Sequence, residues 1–192
     1  TDRLEEMGID DDCIIIGGVF RLVREKRPLL WINSIMEVLE KNSKVHGVIV
    51  GGGPLEPEML EHIKNIGADG RIHMVGRSKF VKAWLDQFDM FLLTSSVEGL
   101  PNVLIEAQGF GVPVITTKAG GASDTIIQGE TGYVVEDNAM AISEQILSCL
   151  NDLEWLQKAT ELAVSNSRKK FSPEFMAEHL FEIYLNSIKN HI

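Results

Sequence analysis

Short apolar runs alternate along the chain with longer stretches in which apolar positions recur at helical spacing, and this alternation predicts the architecture before any motif is read. Cys13-Ile14-Ile15-Ile16, Val45-His46-Gly47-Val48-Ile49-Val50, Arg71-Ile72-His73-Met74-Val75, Met90-Phe91-Leu92-Leu93, Pro113-Val114-Ile115-Thr116 and Gly132-Tyr133-Val134-Val135 read as strands. Residues 28–41, where Ile32, Ile35, Met36 and Leu39 share one face, read as an amphipathic helix. Shorter helices are predicted over 3–9, 56–66, 79–87, from Asn102 to about Phe110, and over 122–128. A helix over 138–165 is expected to break near Asn151-Asp152. Ser172-Pro173-Glu174 carries an N-cap residue, a first-turn proline and a first-turn acid, so a last helix should run to about Lys189. Its apolar residues Phe175, Leu180, Phe181, Tyr184 and Leu185 are expected to pack on the core. Roughly six strands alternating with helices predict right-handed crossovers and a parallel sheet covered on both faces, an α/β fold. Ligands of such sheets bind outside the carboxyl ends of the strands. Gly17, Gly18, Gly53, Gly76, Glu98 and Gly120 are all expected at such ends.

Composition narrows the classes. A chain of 192 residues suffices for one well-buried domain, and no apolar run approaches a membrane span. The net charge of −10 excludes nucleic acid and an anionic membrane as the main partner of this domain. The densest basic cluster, Arg168-Lys169-Lys170, reads as a solvated helix end. Cys13 and Cys149 lie in apolar contexts and read as reduced core thiols of a cytosolic protein. The chain opens Thr1-Asp2-Arg3 without Met and is expected to be a piece of a longer protein. His46, His62, His73, His179 and His191 stand apart, with no metal pairing and no Ser/His/Asp arrangement, so no nucleophile is nominated. Asp10-Asp11-Asp12 precedes a strand rather than following one and reads as a solvated turn.

Candidate chemistry concentrates after the fourth strand. Thr94 to Pro101 is a small polar turn, and Asn102 is a plausible N-cap of the helix that follows. A strand–turn–helix presents free N–H groups and a positive dipole end, which suits a phosphate. Gly99 permits close backbone approach to a ligand and Pro101 stiffens the entry. Glu98 and Glu106 flank this spot with seven residues between them. Carboxylates accept only, so they suit hydroxyl pairs on either side of an anion, the shape of a nucleotide sugar. Spacing alone equally allows a solvated Glu98 and a Glu106 that serves only its own helix dipole. Arg21, a planar fork, and Lys26, a point charge, lie in the loop after the first strand and together would suit a diphosphate, while Arg24 and Arg27 read as solvated. Gly51-Gly52-Gly53-Pro54 is not a G-x-G-x-x-G fingerprint.

Glu98-Gly99-Leu100-Pro101-Asn102-Val103-Leu104-Ile105-Glu106-Ala107 resembles the Glu-x7-Glu signature of retaining glycosyltransferases of the two-Rossmann-domain (GT-B) class, family 4. Gly109-Phe110-Gly111-Val112-Pro113-Val114-Ile115, Gly120-Gly121, Gly129 to Val135 and, upstream, Gly18 to Lys26 follow that family in order. The resemblance implies a single Rossmann-like domain, the C-terminal, donor-binding half of a GT-B fold, with the N-terminal acceptor domain absent from this chain. It implies that Arg21 and Lys26 bind the phosphates of a UDP- or GDP-linked sugar, that Glu106 accepts from the ribose diol, and that Glu98 accepts from sugar hydroxyls. Gly18, Gly53, Gly76, Arg77, Gly99, Leu100, Pro101 and Asn102 are the further donor-binding positions, with the base met at Gly76-Arg77 mainly through backbone groups. Transfer in this family proceeds by front-side attack assisted by the leaving diphosphate. No protein nucleophile, metal or cofactor is implied, and Arg21, Lys26 and Glu98 form the catalytic set.

Isolated, such a half is expected to bind nucleotide and not to transfer sugar at a useful rate. The expected role is cell-surface polysaccharide synthesis, in the cytoplasm or at the inner face of the cell membrane, with membrane contact through the missing domain. The last helix of two-domain relatives can cross onto the other domain, leaving part of its face uncovered here. A sugar-nucleotide 2-epimerase-like enzyme and a non-catalytic nucleotide-sugar-binding module are the alternatives.

Overall fold

A computed structural model describes residues 2–189; the expectations for His191 and for the end of the last helix near residue 190 lie outside them. Strands β1 (Ile14–Val19), β2 (Val45–Val50), β3 (Ile72–Gly76), β4 (Met90–Leu93), β5 (Val114–Thr117) and β6 (Gly132–Val135) form one sheet in the order β3-β2-β1-β4-β5-β6. Every pairing is parallel. All residues of β2, β4 and β5 are buried, as a sheet covered on both faces requires.

The helices are α1 (Asp2–Glu5), α2 (Pro28–Lys41), α3 (Glu56–Asn65), α4 (Val81–Leu85), α5 (Asn102–Gly109), α6 (Ala139–Leu150), α7 (Leu153–Phe171) and α8 (Pro173–Lys189). Right-handed crossovers put α2 and α3 on one face of the sheet and α5 on the other. α6 then packs on α2, and α7 crosses back to pack on α5. Side-chain caps open both of these helices: Asn138 Oδ1 accepts from Ala141 N at the start of α6, and Asp152 Oδ1 accepts from Trp155 N at the break between α6 and α7. Ser172 Oγ likewise accepts from Phe175 N at the start of α8.

Several boundaries differ from the sequence reading. β1 does not stop at Gly17-Gly18 but runs through both to Val19. A Cβ on Gly17 would lie 2.0 Å from the Phe88 ring, so the glycine serves close packing inside a strand, not a strand end. α4 is shorter than 79–87, the helix placed over 122–128 is a 3-10 turn at Gly120–Thr125, and α7 extends past 165 to Phe171. Of the stretch 3–9 only residues 3–5 are helical, as part of α1, followed by a turn in which Gly8 has φ 72°. The apolar residues of α8 are not core: Leu180, Phe181 and Tyr184 are 54%, 63% and 62% exposed. α8 leaves the domain after α7, whose Ala159 and Ala163 already close the packing over α5.

Cys149 is buried, and burial pushes its thiol up to about 11; Cys13 is half-buried, and both are free. Two histidines expected to stand apart are neighbours. His46 and His73, on adjacent strands, stack with ring centroids 5.3 Å apart, and His46 Nδ1 lies 3.0 Å from His73 Nε2. Burial lowers both pKa values, and for His46 the neighbouring His73 and Arg71 lower it further. A histidine held below its unfolded value near about 6.5 contributes stability that is complete above that pH. The contribution is lost as pH falls below it, because the unfolded chain then binds more protons. The thermal midpoint should therefore fall more steeply between pH 7 and pH 5.5 in the wild type than in a His46→Gln/His73→Gln protein. Parallel pH profiles would show that the pair does not titrate in this way.

Candidate donor-binding site

The order in which strands are added reverses between β1 and β4, which are parallel neighbours although far apart in sequence. A crevice opens at such a switch point beyond the carboxyl ends of the strands, and the exits of β1 to β4 converge there. The β1 exit carries Arg21 and a 3-10 turn, Arg24–Lys26. The β2 exit carries Gly51 to Gly53, the β3 exit Gly76-Arg77, and the β4 exit the turn from Thr94 to Pro101 that leads into α5.

Arg21 and Arg77 line the same cleft of about 550 Å³, with Gly51 and Gly52 between them, and neither forms an ion pair among the described residues. A second cleft of about 990 Å³ shares Val19 and Val81 with the first. Its walls are mainly apolar, with Phe80 and Leu85 on one side and Val103 and Ile105 of α5 on the other, and Asn102 and the exposed Glu106 at the α5 edge. An apolar slot with a few polar groups beside a cationic one is the form of a small-molecule site.

Glu98 and Lys26, assigned by sequence to different parts of a ligand, form an ion pair with each other. Their side chains are 10% and 24% exposed. Two further contacts fix the turn that carries Glu98. Ser96 N donates to Glu25 O at 2.8 Å. Gly121 N donates to Gly99 O at 2.8 Å, and Gly120, at φ 47°, lies so close that a Cβ there would be 1.8 Å from Glu98 O.

The other candidates sort by place. Gly76, at φ 74°, turns the chain out of β3. Gly18 lies inside β1 against Phe20 and Trp31, and Gly53 packs on the backbone of Leu22, so both shape the walls by close packing. Gly99 and Leu100 are exposed on the turn and Pro101 is buried. Asn102 is not the N-cap of α5 but its first residue; Pro101 holds the cap position and no side chain caps the helix. The first amides of α5 are thereby left without a side-chain acceptor.

Arg27, read as solvated, is the most heavily bonded side chain of the site. Its Nε donates to Thr94 O at 2.6 Å, Nη2 to Ser95 O at 3.0 Å and to Thr117 Oγ1 at 2.9 Å, and Nη1 to Asp137 Oδ2 at 2.6 Å. The Asp137 carboxyl is held below its usual range by that guanidinium. Arg27 is also the one non-glycine residue with positive φ among the described residues, at 47°, a conformation that costs an L-residue about 1–2 kcal/mol. The one signal in sequence was the Arg27-Pro28 step at a helix start, which marks a boundary but no partner. Among the described residues no group of three or more His, Cys, Asp and Glu is placed to hold a metal ion, and no helix is long and apolar enough to cross a membrane.

Comparison with known proteins places this geometry. Residues 2–169 match the model of the glycosyl transferases group 1. The chain is 35% identical over 173 residues to the Vi polysaccharide biosynthesis protein VipC/TviE of Salmonella typhi, covering 90% of this chain and 30% of that protein. It is 30% identical over 197 residues to the capsular polysaccharide biosynthesis glycosyltransferase CapM of Staphylococcus aureus, covering 98% and 51%. The chain thus spans about half the length, or less, of these curated relatives. Among solved structures, S. aureus TarM in complex with UDP superposes with a TM-score of 0.81 at 26% identity, covering 92% of this chain and 36% of that one. The C-terminal domain of a group 1 glycosyl transferase (LpcC) from Francisella tularensis superposes at 0.79 with 22% identity, covering 90% and 92%. With its parallel sheet, its switch-point crevice and a family match over most of its length, this chain belongs to the group 1 glycosyl transferases of the GT-B superfamily.

Proposed function

We propose that this chain is the donor-binding half of a family 4 retaining glycosyltransferase that moves a sugar from a UDP- or GDP-linked donor to a glycan or lipid-linked acceptor. The carrying observation is the convergence at one switch point of Arg21, Lys26, Glu98 and the uncapped start of α5, beside an apolar cleft edged by Glu106. In this reading the nucleoside lies in the larger cleft, with its ribose diol on Glu106. The base meets the Gly76-Arg77 exit, and the diphosphate lies between Arg21, Lys26 and the first amides of α5. Glu98 exchanges Lys26 for hydroxyls of the donor sugar.

Charge developing on the leaving diphosphate is then met by Arg21, Lys26 and backbone N–H groups, already oriented before the sugar leaves. This electrostatic role is assigned to the chain itself, without a metal or cofactor. The acceptor site, an N-terminal domain, is assigned to sequence beyond this chain, consistent with the share of its relatives that it spans. The exposed face of α8 is the surface assigned to that domain. The names of the relatives support a role in surface polysaccharide synthesis, and the reading places the protein in the cytoplasm or at the inner face of the membrane.

The test is calorimetry of this chain with UDP, GDP and the corresponding sugar nucleotides. One of the two diphosphates should bind, and Glu106→Ala should weaken it by about 1.5–3 kcal/mol, the range for hydrogen bonds to a charged group. A folded Glu106→Ala protein with unchanged affinity would remove the ribose role, and no binding by the wild type would remove the donor reading.

A further inference from the structure

Arg27 is joined to four elements at once. Besides the bonds to Thr94, Ser95, Thr117 and Asp137, its own carbonyl accepts from Trp31 N at 3.2 Å, opening α2, and from Thr94 Oγ1 at 3.1 Å. Thr94 Oγ1 also lies 2.9 Å from Lys26 O. The backbone of residues 25–27 is therefore bonded directly to residues 94–96, the segment that leads to Glu98. A guanidinium can do this because its planar fork serves three directions at once, which an ammonium cannot. The side chain is 23% exposed, and all four of its bonds run to protein groups.

We propose that Arg27 is a positioning residue: its fork ties the β1 exit to the exits of β4, β5 and β6 and so sets the separation of the Lys26 cation from the Glu98 carboxylate. The left-handed backbone at Arg27 supports this assignment. A glycine would satisfy the turn without strain, so it is the four side-chain bonds that offset the backbone cost at this position. The inference rests on the donor reading, since it is the diphosphate that Lys26 would meet.

The test compares diphosphate with nucleoside binding (UDP against uridine, GDP against guanosine) by calorimetry on this chain, well below its thermal midpoint. Arg27→Lys keeps the charge and loses the fork, and Arg27→Gly relieves the backbone and loses both. Each should weaken diphosphate binding about tenfold and leave nucleoside binding unchanged. In a Lys26→Ala background either change should have less than about twofold further effect, because Arg27 acts through Lys26. General loosening of the domain predicts instead that nucleoside affinity falls as well, and a direct phosphate contact predicts that the losses multiply; either result overturns the positioning role. So does an unchanged diphosphate preference in both variants. A wild type that binds diphosphate no better than nucleoside removes the donor reading itself, and this inference with it.

Discussion

Replacing both Arg21 and Lys26 by Ala is expected to erase the preference of this chain for a nucleoside diphosphate over the free nucleoside. Hydrogen bonds to charged groups contribute about 1.5–3 kcal/mol each, so the two together account for about 3–6 kcal/mol, or about two to four orders of magnitude in affinity. Arg21 has no ion-pair partner among the described residues, so its removal strands no charge. Lys26 differs. Its removal leaves Glu98, 10% exposed, facing the incoming phosphates without its cation. Part of the loss is then repulsion, and adding Glu98→Gln to the double variant should recover some of it. A double variant that keeps the wild-type preference would place the phosphate clamp elsewhere. If the Gln adds nothing, Glu98 does not face the phosphates.

The largest expected loss of stability follows Trp31→Ala. Trp31 is fully buried on α2, packs over Gly18 of β1 and Gly47 of β2, where no Cβ stands in its way, and donates from Nε1 to Leu92 O at 3.1 Å. It thus fastens α2 to the middle of the sheet and, through Leu92, to the strand that delivers the candidate site. Truncating a buried tryptophan costs about 3–5 kcal/mol. In a domain of this size that lowers the thermal midpoint by roughly 2–4 °C per kcal/mol, so about 10 °C is expected. Trp31→Phe keeps most of the ring and loses the donor, for about 1–3 kcal/mol from the stranded carbonyl. Scanning calorimetry decides: a midpoint within a few degrees of wild type for Trp31→Ala would mean that α2 is held chiefly by α6.

The sequence by itself determined the elements and the place of the site. β2, β4, β6 and α2 lie where hydrophobic patterning put them, since continuous apolar runs and an apolar stripe are local consequences of burial on both faces or on one. The marked loops fell at strand ends because a parallel sheet leaves its binding crevice there. The two exceptions, Gly17 and Gly18, show the limit: a glycine reads alike whether it ends a strand or admits a neighbouring ring, and only Phe88 and Trp31 in place decide.

What the tertiary structure alone decided is which side chains meet. Lys26 and Glu98 are 72 residues apart, and Arg27 reaches Thr94 across 67 residues and Asp137 across 110. His46 finds His73 because β2 and β3 are adjacent and their register sets His73 opposite Val48, two residues along from His46 on the same face. None of these pairings leaves a periodic trace, because periodicity records only which face of its own element a residue occupies. Partners follow from strand order, and the reversal between β1 and β4 is what turns two separate loops into one site. Likewise α8 carries the pattern of a core helix and is exposed, since a stripe of apolar residues specifies that a face is to be covered but not by what.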